Sequence, residues 1–330
     1  MNIIKSIFGI ARHLPVLSHY VRYYDNLKIS CADQTAKLAE YKYECGLFPP
    51  GHYHSPLPDF YLIERKAADI FLDPSPALID IQLDMDGQLD LLRAFAELKE
   101  SYDPPNDRDK SYRYWYNNDF FSYLDACVLA KMLLYFKPRR LIEVGSGYSS
   151  AVIQDINERH MDWSLRLTMI EPHPNRVNDL FRTDDFLRAD LIQTPVESVV
   201  QTLWQELGEN DILFIDSSHV SKIASDVNHI IFQVLPALKP GVIIHFHDIF
   251  YPFEYPKEWI LGGVAWNESY ILRAFLQNND AYQIIFFNDY LKRFHREILH
   301  TALPISARDT EPDQAMINAP GNSIWIRKLR

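Results

Sequence analysis

Apolar positions change their spacing once along this chain. From Tyr116 onward, short runs of consecutive apolar residues alternate with stretches of helical spacing. The runs are 140-RLIEV-144, 165-LRLTMIE-171, 188-RADLIQ-193, 211-DILFID-216, 241-GVIIHF-246 and 281-AYQIIFF-287, and the helical stretches fall at 149–159, 174–182, 196–206, 220–235 and 266–278. A strand buried on both faces has no reason to alternate polar and apolar residues, so this pattern predicts an α/β protein with a doubly wound, mostly parallel sheet. The last run, 323-SIWIRK-328, does alternate and follows a long irregular stretch, which suits an antiparallel seventh strand near one edge.

Before Tyr116 the spacing is helical or irregular. In 86-DGQLDLLRAFAELKESY-102, Leu89, Leu92, Phe95 and Leu98 recur at helical intervals. Proline-rich loops stand before and after it, at 49-PPGHYHSPLPD-59 and 103-DPPND-107, the second suited to a linker. The expected division is a helical region over 1–115 and an α/β domain over 116–330. With 330 residues there is chain enough for both, and 19 Tyr and 19 Phe give a folded composition. A formal net charge of −11 works against nucleic acid or an anionic membrane as partner, since both need clustered Lys and Arg. Three widely spaced cysteines, Cys31, Cys45 and Cys127, form neither a disulfide framework nor a zinc motif, and a reducing, cytoplasmic setting is expected. The apolar N-terminus is broken by Lys5, Arg12 and His13, so it reads as an amphipathic helix suited to self-association. No apolar run reaches the ~18 residues of a membrane span.

The chemistry begins at 140-RLIEVGSGYSSAVI-153. Gly145 and Gly147, with Ser146 between them, allow a tight strand-to-helix turn that a ligand can approach closely. A nicotinamide motif would put a third glycine where Ser150 stands, and it would not put Glu143 beside a pyrophosphate. An acid there suits a ligand carrying an ammonium or a sulfonium. Glu171 closes the next strand, where a carboxylate can accept both hydroxyls of a ribose. On these residues the chain resembles the class I S-adenosylmethionine-dependent methyltransferases, which implies a Rossmann-like fold and S-adenosylmethionine as cofactor. The resemblance assigns Glu143, Gly145, Ser146 and Gly147 to the methionine end of the cofactor and Glu171 to its ribose. The chain departs from the family at Ser149, where a third glycine is common, and after strand three, where 191-LIQTPVES-198 lacks the usual adenine-binding acid.

Ligands of open α/β sheets collect at the carboxyl ends of the strands. Strand four ends in Asp216, with His219 three residues on, and strand five in His247 and Asp248. These residues resemble the site of metal-dependent O-methyltransferases of the sugar and macrolide branch. Asp216, His219 and His247 are the expected catalytic group, and Asp216, His247 and Asp248 the expected ligands of a divalent ion such as magnesium. Asp216 as a simple helix cap is the plainer alternative. His245 is expected on the opposite face of strand five as an interior histidine. The aromatic stretch 250–270 reads either as a lid or acceptor wall with Gly262 and Gly263 as hinges or as a packed surface loop, and Asn267 and Glu268 as the cap and first turn of the next helix. The loop with His52, Tyr53, His54, Ser55 and Asp59 is a further source of chemistry. With 112-YRYWYNNDFFSYLDA-126 it resembles an uncharacterised bacterial family of methyltransferase-like proteins. The expected activity is O-methylation of a polar small molecule such as a sugar. Three alternatives stand beside it: a cofactor-binding domain without turnover that serves a partner protein, a nicotinamide-dependent oxidoreductase, and a metal-dependent hydrolase that uses the histidine and aspartate cluster.

Overall fold

The computed structural model describes residues 47–309 except Ser122, residues 322–330, and the isolated positions Lys28, Ala32, Gln34 and Thr35. The helix expected over the first two dozen residues, and Cys31 and Cys45, lie outside the described residues. The chain divides into two compact units, Met1–Lys66 and Ala67–Arg330. In the first, the loop before the helix Phe60–Arg65 folds on itself: the rings of Phe48 and His52 stack at 4.7 Å and those of His52 and Tyr53 at 4.5 Å. Asp59 caps that helix, its Oδ1 accepting from Leu62 N–H at 2.9 Å.

The second unit carries a seven-stranded sheet in the order β3-β2-β1-β4-β5-β7-β6. β1 (Arg140–Val144), β2 (Arg166–Ile170), β3 (Ala189–Ile192), β4 (Ile212–Ile215) and β5 (Ile243–His247) pair in parallel. β7 (Ser323–Lys328) lies antiparallel between β5 and β6 (Tyr282–Phe287), next to the sheet edge, as its alternation predicts.

Successive strand residues point to opposite faces, and both faces here need cover. On one face Leu141, Leu167, Met169, Phe214 and Trp325 pack under the helices Tyr123–Phe136 and Tyr148–His160. On the other, Ile142, Val144, Ile170, Leu213 and Ile215 meet Val227, Ile230 and Val234 from the helical stretch after β4. Both layers are near zero exposure, which is why the strands read as unbroken apolar runs. The helix Met85–Glu97 belongs to this unit and buries Leu92 and Phe95 in the first layer. Its Gln88 accepts from Phe287 N–H at 2.8 Å, satisfying part of the β6 edge.

Two expected helices come out differently. Residues 196–206 form the 3₁₀ turns Val196–Ser198 and Gln201–Glu206. The stretch 220–235 is loop until Ser225, whose hydroxyl caps the helix at Asn228 N–H, and then includes a π-helical turn, Ile230–Val234. His245 is also corrected: residues two apart share a strand face, so it lies with His247, ring centroids 6.0 Å apart. It is an interior histidine all the same, stacked on Phe214 at 3.8 Å. No helix among the described residues is long and apolar enough to cross a membrane.

Candidate functional site

β1 ends at Val144 and the chain turns at once. Gly145 sits at φ +80°, and a Cβ there would lie 1.7 Å from the carbonyl oxygen of Asp216, so only glycine fits. The turn is fastened to both neighbouring strands: Gly145 N–H donates to the Ile170 carbonyl at 3.0 Å, and Asp216 N–H donates to the Val144 carbonyl at 2.9 Å. Glu171 is held by the same turn, one carboxylate oxygen accepting from Ser146 N–H at 3.2 Å and the other from His173 N–H at 2.7 Å. Gly147 is in extended backbone, and a Cβ on it would press on the Arg176 side chain at 2.9 Å.

Glu143 occupies a different place from the one expected. It is fully buried beneath the turn, where Ser149 Oγ and Ser150 Oγ donate to its two oxygens at 2.6 and 2.5 Å. Ser150 Oγ in turn accepts from Gly147 N–H at 3.0 Å. The side chain braces the turn from below and does not line the cleft. Burial pushes its carboxyl up to about 8, against the pull of the two serine hydroxyls. The two serines that depart from glycine motifs are thus the residues that tie the acid to the helix.

A cleft of about 380 Å³ opens at the carboxyl ends of the strands. Its lining follows the sheet order: Pro195 and Val196 after β3, Glu171 after β2, Gly145 after β1, and Asp216 after β4, closed by Lys222 and Asp226. Behind Asp216 lies a chain of alternating carboxylates and imidazoles. His219 Nε2 stands 3.4 Å from Asp216 and 3.6 Å from Asp248, and His219 Nδ1 is 2.8 Å from Glu268. His247 Nε2 is 3.6 Å from the other Asp248 oxygen, and its Nδ1 is 3.7 Å from Asp125. Asp216 is the cleft-facing member, its side chain 36 % exposed against 6 % for His219. Both His219 (φ +59°) and Asp248 (φ +54°) are left-handed, a costly conformation away from glycine. The His219 carbonyl is held there by the N–H groups of Asn267 and Glu268, each at 3.1 Å.

The charges follow from this packing. Burial alone would lower the His219 pKa, but hydrogen bonds to Asp216 and Glu268 and the charge of Asp248 outweigh it and raise it well above the ordinary value. His247 is raised against the same burial by Asp248, Asp216 and Asp125. Burial pushes the Asp248 carboxyl up, with His247 and His219 opposing, and pushes Asp125 up to about 6. For Asp216 burial is overcome by His247, His219 and Arg176, and its carboxyl stays below the usual range.

The sequence brought Asp216, His219, His247 and Asp248 to one place, and the structure places them together. It missed Glu268, read only as a helix start, and Asp125, 122 residues before His247 in the chain. No spacing signal marks either. Among the described residues no group of three or more His, Cys, Asp or Glu side chains stands in a metal-holding arrangement, so the expected ligand set of Asp216, His247 and Asp248 is not formed as a chelate. The aromatic stretch after β5 is a packed wall: Phe250, Tyr251, Phe253, Tyr255 and Trp259 are all buried, and Trp266 lies 4.3 Å from the His219 ring.

Residues 142–249 match the family model described as a methyltransferase domain. The chain is 30 % identical over 172 residues to an uncharacterised protein of Archaeoglobus fulgidus, covering 50 % of this chain and 76 % of the relative. Among solved structures it is similar to a Podospora anserina methyltransferase bound to S-adenosylhomocysteine (14 % identity, TM-score 0.39, 82 % of this chain and 96 % of that one). It is also similar to an O-methyltransferase of Bacillus cereus in complex with the same molecule (11 % identity, TM-score 0.37, 81 % and 97 %).

Proposed function

Since the chain belongs to the methyltransferase-domain family matched at residues 142–249, we propose that it transfers the methyl group of S-adenosylmethionine to a hydroxyl of a polar small molecule, of which a saccharide is the leading class. The observation that carries this reading is the order of groups along the cleft. A nonpolar adenine slot at Pro195 and Val196, a ribose-accepting carboxylate at Glu171, and a glycine turn backed by Asp216 follow one another in the order of an adenosyl amino acid.

Bound there, the cofactor supplies an electrophilic sulfonium methyl. Glu171 accepts the ribose hydroxyls while its own oxygens stay fixed by Ser146 and His173 N–H. Gly145 lets the backbone come close at the turn. Asp216, facing the cleft, orients the acceptor hydroxyl, and His219 behind it takes the proton released as the oxygen attacks. Glu268 holds His219 Nδ1, which leaves Nε2 directed toward Asp216 and Asp248. His247 and Asp125 brace Asp248 from the core side.

Replacing Glu171 with alanine removes the ribose contact. Calorimetry with S-adenosylhomocysteine is expected to show affinity weakened about 10- to 100-fold, the range for losing charge-assisted hydrogen bonds. Unchanged affinity sinks the ribose assignment. Transfer of labelled methyl to a saccharide panel tests the acceptor class, and tight cofactor binding without transfer to any hydroxyl compound speaks for a non-catalytic domain. The same assay in excess chelator separates a histidine base from a metal: retained activity fits His219, while a loss restored by magnesium assigns the cluster to an ion.

A further inference from the structure

Arg176 is the one cation placed against the glycine turn from the helix after β2. It stands in the helix Asn175–Leu180, and its side chain lies along Gly147: a Cβ at Gly147 would be 2.9 Å from Arg176 Cδ and 3.6 Å from a guanidinium nitrogen. The guanidinium carbon sits 3.8 Å from the centre of the Phe120 ring and 5.9 Å from that of Tyr148. A guanidinium stacked this way is oriented by its flat face, and its N–H groups at the rim are left for a ligand. Among the described residues those N–H groups make no hydrogen bond and no ion pair, whereas the neighbouring Arg108 is paired with Asp179 at 3.1 Å. Its charge reaches the carboxylate of Asp216 across the turn.

The order of the cleft says what such a group would meet. On the proposed placement, with adenine at Val196 and ribose at Glu171, the ligand's far end reaches Gly145 and Asp216 in the cleft lining, and the next glycine of the turn, Gly147, carries Arg176 against it, so the amino-acid end would meet a carboxylate and a guanidinium. We propose that Arg176 binds the methionyl carboxylate of the adenosyl cofactor through its guanidinium rim, with Phe120 as the platform that holds the guanidinium in place. This rests on the cofactor reading above and adds to it the residue that distinguishes an adenosyl amino acid from a bare adenosyl thioether. The bidentate fit of guanidinium to carboxylate is the chemistry that makes the distinction.

The test needs no acceptor. S-adenosylhomocysteine and 5′-methylthioadenosine share adenine, ribose and thioether, and only the first has the amino-acid end. Calorimetry of both ligands is run on the full chain and on the R176Q and R176K variants, with thermal melts as a check on folding. The expected result is a loss of at least about tenfold in S-adenosylhomocysteine affinity for R176Q, with methylthioadenosine affinity unchanged and R176K intermediate. An unchanged ratio of the two affinities in both variants overturns the assignment of Arg176 while leaving the cofactor site standing. Failure of the unaltered chain to bind either ligand overturns the cofactor reading itself, and this inference with it.

Discussion

At the scale of single residues, the turn after β1 depends on two residues that act in opposite ways. Gly145 is required by space: an alanine methyl would overlap the Asp216 carbonyl, and its φ of +80° disfavours any Cβ. Gly145→Ala is expected to cost more than about 2 kcal/mol and to abolish S-adenosylhomocysteine binding, measured by urea denaturation and calorimetry. Glu143 is instead a buried acid that resists ionisation. Its folded pKa of about 8 lies above its ordinary value of 4.5, so the folded state binds the proton more tightly. Its contribution is therefore most favourable below about 4.5, declines as pH rises, and levels off above about 8, a total on the order of a few kcal/mol. Glu143→Gln keeps a side chain of the same shape between Ser149 and Ser150 and removes that slope. Melts of the two proteins are expected to diverge in favour of the variant between pH 5 and pH 8, and parallel curves would show that Glu143 ionises freely. His219 carries the other pH signature. Burial is outweighed by the hydrogen bonds to Asp216 and Glu268 and the charge of Asp248, so His219 loses its proton at a higher pH than an ordinary imidazole; turnover that uses it as a base climbs with pH, and this rise is lost in His219→Gln.

At the scale of elements, the segment that leads into the helix Tyr123–Phe136 is pinned by one buried cation. Arg113, 3 % exposed, meets Asp155 at 2.9 Å and Glu158 at 2.7 Å from the helix Tyr148–His160, and Asp185 at 2.6 Å from the turn Thr183–Leu187. The N–H groups of Arg113 and Tyr114 also donate to Asp155. Arg113→Ala leaves Asp155 and Asp185 buried without a counter-charge, and a loss of about 3–5 kcal/mol in urea denaturation is expected. A loss below about 1 kcal/mol would mean that these carboxylates take up protons or water at little cost. The sequence showed the strands because burial on both faces leaves an unbroken apolar run, and it showed Gly145 and Glu171 because they close strands. It did not show Arg113, Asp125 or Glu268 as partners. Arg113 and Asp185 are 72 residues apart in the chain, and His219 and Glu268 are 49 apart, so no local period marks either pair. The misplacement of His245 had a simpler cause: strand residues two apart share a face, and the burial of that face by Phe214 and Trp325 settles which one.

At the scale of the whole molecule, charge decides between the two cofactors that a glycine turn of this kind can serve. The chain carries a net charge of −11, and its cleft adds Glu171, Glu197, Asp216 and Asp226 against a single Lys222. Two phosphates placed beside these four carboxylates are repelled more than Lys222 and the nearby Arg176 attract them. A zwitterionic adenosyl ligand has its ammonium to set against Asp216 and carries no phosphate. Ligand that binds only the folded state stabilises it by about 2.7 kcal/mol at one hundred times its Kd. For a unit of this size each kcal/mol raises the melting temperature by about 2–4 °C, so S-adenosylhomocysteine at that excess is expected to raise it by roughly 5–10 °C. NADH at the same concentration should leave it unmoved, and any shift that NADH gives at high salt should shrink as the salt is lowered, because screening weakens the repulsion of the pyrophosphate. A larger shift with NADH than with S-adenosylhomocysteine would reverse the assignment, since it would require two phosphates to sit among Glu171, Glu197, Asp216 and Asp226 with only Lys222 in the lining and Arg176 beside the turn to offset them.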